Sequence, residues 1–136
     1  MILKQIPSGY DSNFAYLIAD EKTKEAILID PSTDTSIIKE EIKGFKIKYI
    51  INTHSHEDHI AGNKELKSLT NSRIVQHELS PEKHDVSVKD HQEIKVGSLN
   101  FKFIHTPGHI KDHICILVEK KLFAGDLLFV GTIGGV

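Results

Sequence analysis

Residues 51–62 read INTHSHEDHIAG, and this stretch places three histidines and two acids within six residues, directly after an apolar run. Imidazole nitrogen and carboxylate oxygen are ligands that suit Zn, Fe, Mn and Ni. In an extended segment, residues spaced by two point the same way, so His54, His56 and Asp58 are expected on one face. His59 follows at once. The stretch therefore predicts one loop that offers two imidazoles to one ion, and a carboxylate with a third imidazole to a second ion.

Two later stretches supply further candidate ligands. IHTPGHIKDH places His109 after a strand and a Pro-Gly turn, and LFAGDLLF places Asp126 between two apolar runs. A carboxylate in such apolar surroundings is costly unless it is paired or bound to a metal. Taken singly, each of these residues could equally be a solvated side chain or a turn former. Their joint order favours one metal centre, with the candidate ligands His54, His56, Asp58, His59, His109 and Asp126.

The bulk composition is that of one globular domain. The chain has 136 residues, 39% of them hydrophobic, and a formal charge of −2, which predicts a single domain over residues 1–136. No apolar run is long enough to span a bilayer, and the first residues lack the features of a signal peptide, so we expect a cytoplasmic protein without a membrane partner. The near-neutral charge balance does not support a nucleic-acid partner. Cys115 lies among apolar neighbours, which favours a buried thiol over a nucleophile.

Alternating and apolar runs predict most of the strands. We expect strands at residues 2–6, 14–19, 26–30 and 47–52 and in RIVQH, then a hairpin in EIKVGSLNFKFIH that turns at Gly97 and Ser98. HICILVEKKLFAGD predicts two more strands. The order of strands, helix, strand, helix and further strands is typical of a layered α/β protein with mixed sheets.

Two segments have a helical period. Within DPSTDTSIIKEEIKGF the predicted buried face holds Ile37, Ile38 and Ile42, and the N-cap is left open among Ser32, Thr33 and Asp34. GNKELKSLTN predicts a short helix with Leu66 and Leu69 inward, and ELSPEKHDVSVKDHQ predicts a polar surface excursion. Structural roles are favoured for the remaining histidines, although His113 is close enough to the metal loop in sequence to contact a ligand or a substrate.

The stretches THSHEDH, TPGH and AGDLLF resemble the metallo-β-lactamase superfamily, and within it the branch of hydroxyacylglutathione hydrolases (glyoxalase II) and persulfide dioxygenases. The resemblance covers almost the whole chain. It implies a four-layer αββα sandwich with metals at one edge between the sheets. In the ligand set that it implies, His54, His56 and His109 bind the first ion, Asp58 and His59 bind the second, and Asp126 bridges the two.

The activity implied by this resemblance is hydrolysis of a thioester such as an acylglutathione, a small thiol-derived substrate. Two divalent ions, zinc or alternatively iron or manganese, would hold the attacking hydroxide, and Asp58 would act as a catalytic residue that orients it. An alternative is a persulfide dioxygenase with one Fe(II) on His54, His109 and Asp126. A third alternative is a metal-binding relative without turnover.

One departure from the family pattern concerns the end of the chain, which stops at Val136, ten residues after Asp126. Family members usually continue with the rest of the second sheet, its covering helices and a last histidine ligand. We therefore expect the C-terminal part of the second half to be missing, an incomplete second ion site, and a homo-oligomer that covers exposed apolar surface. A fragment, a naturally short dimerising form and a degenerate relative remain open explanations.

Overall fold

Two β-sheets form the frame of the chain in a computed structural model that describes residues 1–9, 13–107 and 110–124, and the backbone alone of 127–130. The first sheet has the strand order β1 to β6, and the second has the order β11-β10-β9-β8-β7. The strands of the first sheet are β1 (Ile2–Pro7), β2 (Phe14–Ala19), β3 (Glu25–Ile29), β4 (Lys46–Ile51), β5 (Arg73–His77) and β6 (Val86–Val88). Those of the second are β7 (Glu93–Val96), β8 (Leu99–His105), β9 (Ile114–Val118), β10 (Lys121–Ala124) and β11 (Leu127–Val130).

Three short helices connect the parallel strands of the first sheet. Helix α1 (Ser36–Glu41) joins β3 to β4, while α2 (Glu57–Ile60) and α3 (Asn63–Thr70) join β4 to β5. Strands β3, β4, β5 and β6 run parallel, whereas β1, β2 and β3 are antiparallel neighbours. The carboxyl ends of parallel strands meet at one edge of a sheet, which is where open α/β sheets bind ligands. Asp30 after β3, Asn52 after β4 and His77 at the end of β5 therefore share an edge.

Two apolar cores hold these layers together. The larger core lies between the sheets, because buried side chains of both sheets, such as Ile18, Ile51, Phe101 and Phe123, belong to one cluster. The second core packs α1 and α3 on the other face of the first sheet, through Ile38 and Leu66 among others. Apolar side chains alternate between the two clusters along β2 and β3, as the two-residue period of a strand requires. The described residues thus form a helical layer and two sheets of an α/β sandwich.

The turn between β7 and β8 docks onto the turn between β2 and β3. The carboxylate of Asp20 accepts hydrogen bonds from the hydroxyls of Ser98, at 3.0 Å, and Thr23, at 2.9 Å. These bonds lower the pKa of Asp20, the Thr23 bond contributing most. Gly97 has a φ of +58°, and an added Cβ would lie 2.5 Å from the Asp20 carboxylate. A glycine is needed here for both the backbone conformation and the close approach.

The predicted helices exist, but their caps and faces differ from expectation. Helix α1 is capped at Thr35 and not at Ser32, Thr33 or Asp34, although the Asp34 carboxylate accepts the Ser36 N–H at 3.1 Å. Ile38 is fully buried, whereas Ile37 is 41% exposed. The prediction that Ile37 lies on the buried face was therefore wrong, because it points about 100° around the helix from Ile38, on the side that faces solvent.

Helix α3 shows the same effect near its end. Leu66 is buried, whereas Leu69 is 59% exposed, so the prediction that both point inward was wrong. Leu69 lies about 60° around the helix from Leu66, on the flank that leaves the sheet.

The segment predicted as a polar excursion contains a strand that sequence reasoning missed. Strand β6 (Val86–Val88) pairs with β5, and Val88 is buried in the core between the sheets. The predicted hairpin turn at Gly97 and Ser98 is confirmed, as is the burial of Cys115. Among the described residues, no helix is long and apolar enough to cross a membrane.

Candidate metal centre

The histidine-rich segment begins at His54. The two residues before it, Asn52 and Thr53, continue β4 beyond the sheet edge. His56 has an extended backbone, with φ −60° and ψ 142°, but residues 57–60 turn into helix α2. The expectation that His54, His56 and Asp58 lie on one extended run was therefore wrong for Asp58. Glu57 and Asp58 occupy the first turn of α2, where negative charge is favoured by the helix dipole.

Four of the six predicted ligands lie together at this edge. The ring centroid of His54 is 4.7 Å from that of His56 and 4.1 Å from that of His59. The Asp58 carboxylate lies 3.6 Å from Nε2 of His59, on the exposed side of the cluster. His109 and Asp126 lie outside the described residues. Within the described ranges, no three His, Cys, Asp or Glu side chains converge closely enough to enclose an ion as they stand.

Asp30 is a buried residue of this cluster that sequence reasoning missed. It follows β3, is 2% exposed, and has a φ of +52°, which aspartate tolerates better than most residues. Its carboxylate accepts hydrogen bonds from the backbone N–H of Thr53 at 2.8 Å, the Thr53 hydroxyl at 2.6 Å and Nδ1 of His59 at 2.9 Å. The available signal was an acid placed directly between an apolar strand and Pro31.

These bonds decide which imidazole nitrogens carry protons. An ionised carboxylate can only accept, so the Thr53 hydroxyl and the His59 Nδ1–H both donate to Asp30. Having given its one proton to Asp30, the Thr53 oxygen accepts from Nδ1 of His54, which lies 3.0 Å away. A neutral His54 is thereby held as the tautomer with an unprotonated Nε2, and the bond to Asp30 occupies Nδ1 of His59 and leaves Nε2 as its second nitrogen. That nitrogen is the one available to a metal.

Burial keeps His54 in the neutral form that binds metals. Its side chain is largely removed from water, which lowers the pKa of the imidazole to about 4, and the neighbouring His59 adds to the effect. Metal ligation requires deprotonated imidazole, so a nitrogen that is unprotonated at neutral pH is ready to bind without releasing a proton.

A buried amide network fixes the other end of the segment. The side-chain amide of Asn52 donates to the carbonyl of His59 at 2.8 Å and to the side-chain oxygen of Asn63 at 3.1 Å. Its own oxygen accepts from Asn63 at 2.7 Å and from Gln76 at 2.8 Å. Because all these groups are buried, each bond replaces one that water would otherwise make. The network holds the backbone at His59 against α3 and β5.

The loop after β8 brings a further imidazole to the cluster. The ring centroid of His113 lies 5.2 Å from that of His54, and burial lowers its pKa. Nearby, His105 stacks on His77 with centroids 3.8 Å apart, and its Nε2–H donates to the carbonyl of Lys111 at 2.7 Å. His105 therefore supports the turn that follows it, the structural role expected from the sequence.

The family model described as "Metallo-beta-lactamase superfamily" matches residues 9–81, which is more than half of the chain. The chain belongs to the metallo-β-lactamase superfamily. The matched region includes the histidine-rich segment, Asp30 and the amide network of Asn52.

Similar proteins lie in the branch that the motifs indicate. An uncharacterized protein of Aquifex aeolicus is 36% identical, with 98% of this chain and 74% of that protein aligned. A hydroxyacylglutathione hydrolase of Pelagibacter ubique is 37% identical, with 92% of this chain and 55% of the hydrolase aligned. The chain spans about half the length of the curated hydroxyacylglutathione hydrolases it matches.

Solved structures give the same fold. The crystal structure of ETHE1 from Myxococcus xanthus matches with a TM-score of 0.80 and 30% sequence identity, over 90% of this chain and 56% of that one. The chain therefore has the α/β sandwich fold of the metallo-β-lactamase superfamily, of which the described residues form one helical layer and the two sheets.

The described residues fit the divalent metals that members of this superfamily bind. The fit rests on the donor set, which comprises the Nε2 atoms of His54 and His59, whose Nδ1 atoms are bonded to Thr53 and Asp30, and the carboxylate of Asp58 beside His59. Nitrogen and carboxylate oxygen in this combination suit zinc and also iron or manganese.

Proposed function

We propose that the chain is a metal-dependent hydrolase that acts on a small thioester of the hydroxyacylglutathione type. The observation that carries the proposal is the Asp30 carboxylate, which orients two histidines of the cluster through Thr53 and His59. Similarity to hydroxyacylglutathione hydrolases of 37–41% identity supports the substrate class. A thioester is a small organic ligand, and the proposal includes neither a nucleic acid nor a membrane as partner.

In this proposal two divalent ions, zinc or alternatively iron or manganese, are held by His54, His56, Asp58, His59, His109 and Asp126. Bound metal supplies Lewis acidity, since it lowers the pKa of water from 15.7 to about 7 and stabilises negative charge on reacting oxygens.

The chain's own residues orient and bind. Asp58 is half exposed at the open side of the cluster, where its carboxylate can accept a hydrogen bond from the attacking water and align it. Asp30 fixes the side chain of His59, and Asn52 fixes its backbone carbonyl. His54 is held by Thr53 on one nitrogen. Such preorganised groups do not have to reorient during the reaction.

The test is hydrolysis of a hydroxyacylglutathione by the full chain, with its metal content measured in the same preparation. We expect a rate that is lost on chelation, restored by zinc, and reduced at least about 100-fold by Asp58→Asn. Glu57→Gln is the matched control, because Glu57 is an adjacent acid of the same helical turn and is not a predicted ligand. Absence of any metal-dependent rate would refute the hydrolase and favour the metal-binding relative without turnover.

A persulfide dioxygenase is the second candidate, because His54, His109 and Asp126 supply two imidazoles and one carboxylate, the set used by non-haem Fe(II) oxygenases. Elemental analysis separates the candidates. About two zinc or mixed ions per chain support hydrolysis, whereas about one iron per chain, with oxygen uptake on a glutathione persulfide, supports the dioxygenase.

We also propose that the chain forms a homo-oligomer in the cytoplasm. Ile104, Leu117 and Leu122 are only partly buried on the face of the second sheet that points away from the first. Apolar side chains on such a face favour burial against another surface. Light scattering at micromolar concentration tests this, and a single monomeric species would contradict it.

A further inference from the structure

We propose that His113 is a positioning residue of the metal centre, which fixes the ring of His54 and joins the segment 54–59 to the loop 106–113. The inference rests on the metal binding of the proposed function but on neither its substrate nor its reaction. His113 is not one of the six predicted ligands.

The first support is the closure of the loop at its base. The backbone N–H of Thr106 donates to the carbonyl of His113 at 2.9 Å. The Thr106 hydroxyl lies 2.7 Å from Nδ1 of His113, so backbone and side chain are held by the same residue. Thr106 and His113 are thus joined to each other, and the predicted ligand His109 lies between them in the sequence.

The second support is the attachment of this base to the metal-binding segment. The backbone N–H of Ile114 donates to the carbonyl of Thr53 at 2.7 Å. Thr53 is the residue whose hydroxyl holds Nδ1 of His54. Ile114, next to His113, and Thr53, next to His54, are therefore directly hydrogen-bonded. A shift of either segment must move the other.

The third support is the contact between the two rings. The imidazole of His113 lies with its centroid 5.2 Å from that of His54 and is inclined to it by 34°. With Nδ1 anchored to Thr106, the His113 ring has little freedom to turn. It limits rotation of His54 on one side, while Thr53 fixes Nδ1 and His59 lies 4.1 Å away on another side.

The bonds at Thr106 explain how this arrangement is maintained. The Thr106 hydroxyl also lies 3.5 Å from Sγ of Cys115 and from the carbonyl of His113. The 2.7 Å contact with Nδ1 is by far the shortest of the three, so it is the dominant bond. A threonine hydroxyl at this place holds the imidazole ring, and a valine of nearly equal volume would not.

The test measures metal binding directly, with Zn²⁺ in competition against a chromophoric chelator and with Co²⁺, whose visible spectrum reports ligand geometry. His113→Ala should lower Zn²⁺ affinity about 10–100-fold, the usual effect of removing a group that orients a ligand, and should alter the Co²⁺ spectrum. His113→Phe retains a ring against His54 but loses the Thr106 bond, so a smaller loss is expected. His84→Ala is the matched control, since His84 is bonded to Ser87 and Glu82 and, among the described residues, to no predicted ligand.

A second pair of variants keeps the test decisive if His113→Ala does not fold. Thr106→Val, which keeps the His113 ring but removes its bond, should give the same intermediate loss of Zn²⁺ affinity as His113→Phe, and Thr106→Ser, which keeps the hydroxyl, should restore it. Zn²⁺ affinity within twofold of the unmodified chain in both His113→Ala and Thr106→Val, with an unchanged Co²⁺ spectrum, would overturn the proposal. A lowered melting temperature of the metal-free chain without those changes would indicate a role in stability alone and overturn it equally. Failure to hydrolyse any thioester leaves these readouts untouched.

Discussion

The buried carboxylate of Asp30 accepts a hydrogen bond from Nδ1 of His59 at 2.9 Å, across 29 residues of sequence. The same carboxylate binds the backbone and hydroxyl of Thr53. One side chain after β3 therefore sets the orientation of two histidines after β4. Because it lies beneath the cluster and is 2% exposed, it can act on a metal only through those histidines.

Asp30→Asn is expected to weaken Zn²⁺ binding by about 10–100-fold, because an amide cannot accept from Thr53 and His59 with the strength of a carboxylate. Zn²⁺ competition with a chelator measures the change. Asp34→Asn is the control, since Asp34 lies in the same loop and its carboxylate accepts from Ser36 instead of from the histidine cluster. Equal affinities for Asp30→Asn and Asp34→Asn would show that the Asp30 network does not orient the ligands.

Asn52→Ala is expected to lower the free energy of unfolding by about 2–4 kcal/mol, because it leaves buried polar groups of His59, Asn63 and Gln76 without their partner. Urea denaturation of the metal-free chain measures this. Asn100→Ala is the comparison, because the side chain of Asn100 is exposed and donates to Glu93 at the surface. A loss at Asn52 no larger than that at Asn100 would contradict the importance of the network.

Gly97→Ala is expected to cost about 1–3 kcal/mol of unfolding free energy, because it combines an unfavourable φ of +58° with a Cβ 2.5 Å from the Asp20 carboxylate. Gly44→Ala separates the two causes. Gly44 also has a positive φ, of +88°, but an added Cβ there meets no atom within 4 Å. Chemical denaturation should show a larger loss of unfolding free energy for Gly97→Ala than for Gly44→Ala. The reverse order would show that the Asp20 side chain moves aside without a measurable loss of stability.

The metal-free chain is expected to become more stable as pH rises from about 4 to 6.5. His54 has a folded-state pKa of about 4 and an ordinary value of 6.5, so the unfolded chain binds more protons across this window. Below about pH 4 both states are protonated, and above 6.5 both are neutral. Denaturation at several pH values should show a shallower rise for His54→Gln than for the unmodified chain. A common slope for His54→Gln and the unmodified chain would contradict the burial of a neutral His54.

The sequence predicts the fold well where the period is regular and where chemistry is concentrated. The strands around the inter-sheet core have alternating or apolar patterns, and the ligand segment is recognisable because its histidines are closely spaced. Ile37 and Leu69 could not be assigned correctly, because the exposure of each depends on how far the sheet extends beneath a short helix. Strand β6 was missed because only two of its three residues are apolar and its neighbours are polar.

The residues that orient the candidate ligands were harder to find than the ligands. Asp30, Thr53 and Asn52 carry no local pattern, and their roles arise only when β3, β4 and β5 lie side by side. His113 was expected from the sequence to contact a ligand or a substrate, but only the fold identifies His54 as its neighbour. Ligand types can thus be predicted from spacing, whereas supporting contacts require the topology.

Each sheet is built from one continuous stretch of chain, residues 2–88 for the first and 93–130 for the second. During synthesis, all six strands of the first sheet can leave the ribosome before the second sheet begins, because synthesis proceeds from the N-terminus at about 5–20 residues per second. The face of the first sheet that packs against α1 and α3 can be buried early. The opposite face stays exposed to water until β7 to β11 have been synthesised. The nascent chain therefore exposes the apolar inner face of the first sheet for several seconds, until the second sheet packs against it.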